Sequence, residues 1–164
     1  MAGKRATLHM LCGKIAAGKS TLAVQLAQEA KAVLMSEDHF LAKLYPAEIA
    51  TLDDYVRSAA RLRSAIAPHM TDLLRRGMSI VLDFQANTPA ARAWMRQIFE
   101  AADADHQLHY LEASDILCKD RLAARNASGA HEYQVSEADY DLFTSYFVPP
   151  TTAEGFNIMM HRQL

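Results

Sequence analysis

The sequence is as informative in what it withholds as in what it carries. Of its 164 residues only two are cysteines, Cys12 and Cys118, too few for a disulfide framework and without zinc-ligand spacing. Each lies in an apolar stretch, which predicts buried, reduced thiols in keeping with the cytoplasm. No apolar run approaches membrane-spanning length, and the run after the basic start, Leu8 to Cys12, is too short for a signal peptide. The net charge of −2 supplies no overall basic field for nucleic acid, leaving only a local basic groove open. Internal repeats and low-complexity linkers are absent. These features, with 51% hydrophobic residues, predict one domain over residues 1–164. The state of assembly is left open.

What is present alternates. Short apolar runs at Thr7–Cys12, 32–35, 79–84, 107–111 and 156–160 read as strands. Amphipathic stretches between them read as helices, with Leu22, Leu26 and Ala30 on one face and Tyr55, Ala59, Leu62 and Ile66 on another. Pro68 is expected to divide the second of these, and a helix is expected to start near Phe40. Thr88-Pro89, Ser114 and the pair Ser136 and Asp139 are helix starts. Such alternation implies an α/β fold with a parallel sheet covered on both faces.

The segment Gly13-Lys14-Ile15-Ala16-Ala17-Gly18-Lys19-Ser20 meets the pattern G-x-x-x-x-G-K-[ST] in full, between a strand and a helix. Its glycines let backbone N–H groups curl around phosphate oxygens, and the helix adds its positive end. Lys19 supplies a charge to the outer phosphates, and the Ser20 hydroxyl can join a Mg²⁺ shell. The expected nucleotide contacts are Gly13, Lys14, Ala16, Ala17, Gly18, Lys19, Ser20 and Thr21. No Asn-Lys-x-Asp segment is present, which argues against a GTPase.

In such sheets ligands gather beyond the carboxyl ends of the strands, where Asp38 and Asp83 fall. Asp38 reads either as a general base or as a turn residue or N-cap. Asp83, at the end of the buried run Ile80-Val81-Leu82, reads as a carboxylate that holds Mg²⁺ through water or grips the acceptor. Arg121 and Arg125 share a helix face and read either as lid arginines over the phosphates or as a solvated face. A loop with Asn126, Ser128 and Gly129 is expected next, in a lid at about 126–136 that includes His131 and Glu132. Arg57, Arg61, Arg63, Arg92 and Arg96 read more weakly, either as acceptor contacts or as side chains that only face water. Trp94 reads as core.

Together these residues resemble the compact P-loop kinases that include phage-type polynucleotide 5′-kinase, chloramphenicol phosphotransferase, gluconate kinase and the zeta toxins. Within that set the chain is most similar to bacterial AAA-type ATPases of unassigned substrate. The resemblance rests on Gly13–Thr21, Ser36-Glu37-Asp38, Val81-Leu82-Asp83 with Asn87-Thr88-Pro89 and Arg92, Arg121 with Arg125-Asn126, and Phe147-Val148-Pro149-Pro150 through Asn157. It implies a P-loop NTPase fold, a three-layer sandwich with strand order 2-3-1-4-5 and a short lid. It also implies Asp38 as base, Asp83 as acceptor or metal-water ligand, and Arg121 and Arg125 as lid residues over ATP. The resemblance places Arg92 among the acceptor-binding residues with Asp38 and Asp83. Two departures are visible: fewer lid arginines, and no final helix after the fifth strand, which would leave adenine packing to the Pro149–Gly155 loop. The expected activity is Mg²⁺-dependent transfer of the ATP γ-phosphate to a hydroxyl of a small-molecule or nucleotide-like acceptor. Its rivals are an ATPase that drives a partner and a nucleotide sensor without turnover.

Overall fold

The computed structural model describes residues 3–129 and 134–163. Strands β1 (Thr7–Cys12), β2 (Val33–Ser36), β3 (Ile80–Gln85), β4 (Asp105–Glu112) and β5 (Ile158–Arg162) form one parallel sheet in the order β2-β3-β1-β4-β5. Helices α1 (Lys19–Ala30), α2 (Glu37–Leu44), α3 (Leu52–Arg75), α4 (Pro89–Ala101), α5 (Asp115–Ser128) and α6 (Glu137–Ser145) connect them. This is the P-loop NTPase-like arrangement. Alternation along β1 sends Leu8, Met10 and Cys12 to the face that packs with α3 and α4, and Leu11 to the face shared with α1 and α5. Cys12 and Cys118 are both buried free thiols. Among the described residues no helix is long and apolar enough to cross a membrane.

Helix ends follow local chemistry. Thr88 and Ser114 cap their helices as the sequence predicts, and Ser136 and Asp139 form a reciprocal capping box. Helix α2 starts earlier than expected because the Ser36 hydroxyl accepts from the His39 amide at 3.3 Å. Asp38 therefore sits in the first turn of a helix and is not its cap.

Pro68 does not divide α3, which runs 24 residues through it. Proline in a helix interior costs about 3 kcal/mol. The buried stripe Leu62, Ile66, Met70 and Leu74 continues across it, and each such side chain contributes roughly 1.5–3 kcal/mol. Burial of Met70 and Leu74 offsets the proline.

Because the strands are parallel, the carboxyl ends of β1, β2, β3 and β4 emerge along one edge of the sheet, and the β1, β2 and β3 ends lead directly into the candidate site.

Candidate nucleotide and acceptor site

Cys12 hands the chain to a loop whose shape is fixed by close approach. A Cβ on Gly13 would meet the Leu111 carbonyl oxygen at 2.9 Å, so only glycine fits there. Gly18 caps α1 at φ 103°, and Ala16 adopts φ 62°, a left-handed conformation unusual for alanine. Asn87 holds the loop from the side: its Oδ1 accepts from the Gly13 amide at 2.9 Å, and its Nδ2 donates to the Gly13 carbonyl at 2.9 Å. The Lys14 ammonium points to Asp115 at 2.8 Å on α5, and Tyr140 donates to the same oxygen at 2.7 Å. The Lys14 side chain is thus held by α5.

The Lys19 ammonium folds back over the loop, donating to the carbonyls of Gly13 at 2.6 Å and Lys14 at 2.7 Å. Burial pushes its pKa down to about 8, opposed by the carboxylates of Asp83 and Asp38. Ser20 donates to Asp83 Oδ2 at 2.8 Å, so a hydroxyl and a carboxylate oxygen lie side by side. Hard oxygen donors of this kind suit Mg²⁺, which keeps most of its shell for water and phosphate. Among the described residues no cluster of three or more His, Cys, Asp or Glu offers a fuller cage.

Both arginines of α5 reach the same cavity. Arg125 lies within electrostatic reach of Asp38, while burial lowers its pKa. Its Nε is buried without a hydrogen-bond partner among the described residues. A buried guanidinium N–H without a partner is costly, and a turn of the side chain toward the cavity would relieve it. Arg121 donates to the carbonyl of Ala17 at 3.3 Å and to the side chain of Gln163, which itself donates to Ala17 at 2.7 Å. The chain just beyond β5 therefore ties α5 to the phosphate loop.

The cavity has a volume of about 780 Å³ and extends from the loop to a second wall built by α2, α3 and α6. That wall contains a residue the sequence reading did not single out. Glu37 is only 2% exposed, accepts from the Tyr55 hydroxyl, and pairs with Arg63 at 3.0 Å. The Arg63 guanidinium in turn lies 5.3 Å from the Trp94 ring and 5.9 Å from Phe84. Arg63 is thus a half-buried partner of Glu37 and does not line the cavity. The alternation of β2 into an N-capped helix was the available signal, since it points the first helical residue inward. Asp38, Asp83, Lys19, Ser20, Arg121 and Arg125 all line this one cavity.

Three expectations are corrected. Arg92 is fully buried, donating to Glu154 at 2.8 Å and to the carbonyls of Ala86 and Val148 at 2.9 Å. It braces α4 against the chain before β5 and does not line the cavity, because the first turn of α4 points it into that seam. The Pro149–Gly155 loop does not line the cavity either. It leads into the start of a parallel strand, so Asn157 meets His106 at the opposite end of β4. His161 and Gln163, at the exit of β5, do line the cavity. Finally, Asn126 and Ser128 belong to α5, which ends at Gly129 with φ 65°. His131 and Glu132 lie outside the described residues.

A row of histidines crosses the sheet from β1 through β4 to β5. His9 Nδ1 and His109 Nε2 are 3.2 Å apart, and His109 Nδ1 and His161 Nε2 are 3.0 Å apart. His109 is 1% exposed, and burial together with the two neighbouring imidazoles pushes its pKa down to about 4. Only parallel register brings these three residues together, so no sequence spacing announces them.

A family model described as an AAA domain matches residues 8–150. No curated protein matches the chain. Among solved structures, a candidate kinase from Chloroflexus aurantiacus J-10-fl superimposes with a TM-score of 0.76 at 21% identity, over 99% of this chain and 87% of that one. The Mycobacterium tuberculosis APS kinase in complex with AMPPNP and APS gives 0.64 at 17%, over 96% and 90%. Chaetomium thermophilum Kti12 in complex with ADP-AlF3 gives 0.66 at 16%, over 94% and 88%. At these identities the likeness establishes a shared fold.

Proposed function

The chain belongs to the AAA domain family of P-loop proteins, and from that premise we propose that it is an ATP-dependent phosphotransferase acting on a hydroxyl group. The observation that carries the reading is the meeting of Asp38, Arg125 and Lys19 in one cavity, next to the Ser20–Asp83 pair. Phosphate loops occur in many enzymes and switches; a carboxylate across from the loop lysine is what a transfer reaction needs. Kinase structures among the similar folds support the same direction.

The loop amides and the α1 N-terminus hold the β- and γ-phosphates of ATP. Lys19 leaves its carbonyl partners for the phosphate oxygens, and Arg125 turns its guanidinium toward them. Asp38 accepts the proton of the acceptor hydroxyl as that oxygen forms its bond to the γ-phosphorus. The bond from phosphorus to the β,γ-bridging oxygen breaks, and ADP leaves with the electron pair. Ser20 and Asp83 would hold Mg²⁺, which neutralises phosphate charge when bound. Glu37, fixed by Tyr55 and Arg63, anchors the first turn of α2 and so positions Asp38.

The test is transfer of γ-labelled phosphate from ATP into a small-molecule cell extract, beside the Asp38→Ala variant. A labelled product lost with the variant supports the reading. Labelled inorganic phosphate alone, unchanged by the variant, would favour simple hydrolysis and sink it.

A further inference from the structure

Helices α5 and α6 are joined along their length. The Lys119 ammonium of α5 pairs with Glu137 and Asp141 of α6, each at 3.0 Å, and lies 5.6 Å from the Tyr140 ring. Asn126 Nδ2 donates to the Val135 carbonyl at 2.7 Å. Between these ties Tyr140, 1% exposed, packs with Cys118 and Leu122. Exposed ion pairs alone hold weakly, but here they flank a buried apolar contact, so the two helices form one packed unit. That unit reaches both parts of the cavity. Arg121 and Arg125 line it from α5, and Asp139, Leu142 and Phe143 line the second wall from α6. Phe143 meets Tyr55 of α3 edge to face, with centroids 6.5 Å apart.

The phosphate loop, α5 and α6 meet at a single oxygen. Asp115 Oδ1, in the first turn of α5, accepts from the Lys14 ammonium at 2.8 Å and from the Tyr140 hydroxyl at 2.7 Å. Lys14 and then Tyr140 hold the Asp115 carboxyl below its ordinary range, so it is an anion that only accepts. Burial, and then Asp115, keep the proton on Tyr140, so the phenol only donates. Both bonds are therefore charge-assisted. The backbone of Lys14 is engaged as well, since its carbonyl accepts from the Lys19 ammonium at 2.7 Å. One residue thus touches the lysine that phosphates claim and the carboxylate that holds α6.

We propose that Asp115 is a positioning residue that passes occupancy of the phosphate loop to the α6 wall of the cavity. Arriving phosphates draw Lys19 off the Lys14 carbonyl and free that peptide to turn. The turn shifts the Lys14 ammonium, and Asp115 follows it to keep a charge-assisted bond. Tyr140 shares the same oxygen, so α6 is carried along with Asp139, Leu142 and Phe143. A nucleotide in the loop thereby sets the wall on which the acceptor rests. By linkage, an acceptor on that wall changes nucleotide affinity by the same factor. The inference rests on the phosphotransferase reading for the acceptor, whereas the link from loop to α6 stands on the contacts themselves.

The test is ¹H–¹⁵N correlation NMR on the full chain titrated with AMPPNP and Mg²⁺, for the unaltered protein, Tyr140→Phe and Asp115→Ala. Tyr140→Phe keeps the ring in its buried site and removes the hydroxyl. In the unaltered protein the amides of Asp139, Leu142 and Phe143 are expected to shift together with those of the phosphate loop. In both variants the loop shifts are expected to persist and the α6 shifts to be lost. A merely structural Tyr140 would lower the melting temperature and leave the nucleotide response of α6 in place. Unmoved α6 amides in the unaltered protein, while the loop responds, overturn the proposal. So does an α6 response that survives both substitutions, because it then comes from the ligand directly. Should Tyr140→Phe not fold, Asp115→Ala decides, since that side chain is 57% exposed. The spectra need no turnover, and the labelled-phosphate assay judges the transferase reading separately, so either can fail while the other stands.

Discussion

Asn87 satisfies both polar backbone groups of Gly13, accepting from its amide and donating to its carbonyl, each at 2.9 Å. A residue 74 positions away in sequence thereby sets the first turn of the phosphate loop. Asn87→Asp keeps the acceptor but places a carboxylate oxygen against the Gly13 carbonyl. One such hydrogen bond contributes about 1 kcal/mol. Calorimetric titration with an ATP analogue should show affinity reduced about tenfold, since ~1.4 kcal/mol is a factor of ten. The melting temperature should fall by roughly 2–4 °C per kcal/mol. Unchanged affinity would show that the clip does not shape the loop.

Asp38 offers a sharper division between binding and chemistry. Removing a general base typically reduces turnover by about 10²–10⁴-fold. Asp38→Asn should reduce phosphate transfer on that scale while nucleotide affinity stays within about threefold, because Lys19 and the loop amides carry binding. Single-turnover kinetics beside equilibrium titration measure both. A lost affinity with intact turnover would remove Asp38 from the proposed role.

Ala16 sits at φ 62°, where a Cβ crowds the following carbonyl at a cost of roughly 1–2 kcal/mol. Ala16→Gly relieves that crowding but widens the unfolded ensemble, and the first effect is the larger. Chemical denaturation should show a gain of about 0.5–1 kcal/mol. A loss of stability would mean that the Ala16 methyl makes contacts worth more than the strain.

The histidine chain predicts a pH dependence of stability. The His109 pKa falls from an ordinary 6.5 to about 4 in the folded protein. Between these values the unfolded chain binds more protons than the folded one, so stability rises with pH across this window. Above about pH 6.5 the full contribution is present, on the order of 3 kcal/mol, and it is lost as pH falls to about 4. His109→Gln should flatten this part of a urea-midpoint profile. A slope identical to that of the unaltered protein would place the titration elsewhere.

Sequence reading succeeds where the signal is local. Thr88, Ser114 and Ser136 cap helices through hydrogen bonds spanning three residues, and a spacing of three is visible in a string of letters. The phosphate loop is likewise one continuous segment, and alternation of apolar runs implies the sheet. Arg92 and Glu37 show where this ends. Both are charged, but whether such a side chain meets solvent, ligand or a buried partner depends on a residue far away: Glu154 for Arg92 and Arg63 for Glu37. Their roles emerge only when α4 meets the chain before β5, and when α2 meets α3. Pro68 fails for a related reason. Its local penalty is legible, whereas the burial that offsets it belongs to the whole face of α3.

The contacts of His9, His109 and His161 have a consequence beyond pH. A neutral imidazole has one donor and one acceptor nitrogen, and both nitrogens of His109 are engaged with its neighbours. The neutral row therefore has two self-consistent proton orders: His9 donates to His109, which donates to His161, or every direction is reversed. No ring can change tautomer alone without setting two donors or two acceptors against each other. The row behaves as a single binary element whose last member, His161, stands in the cavity wall. A ligand that selects one tautomer of His161 would set His9 as well, and ¹⁵N shifts of the His9 ring on nucleotide addition would record it.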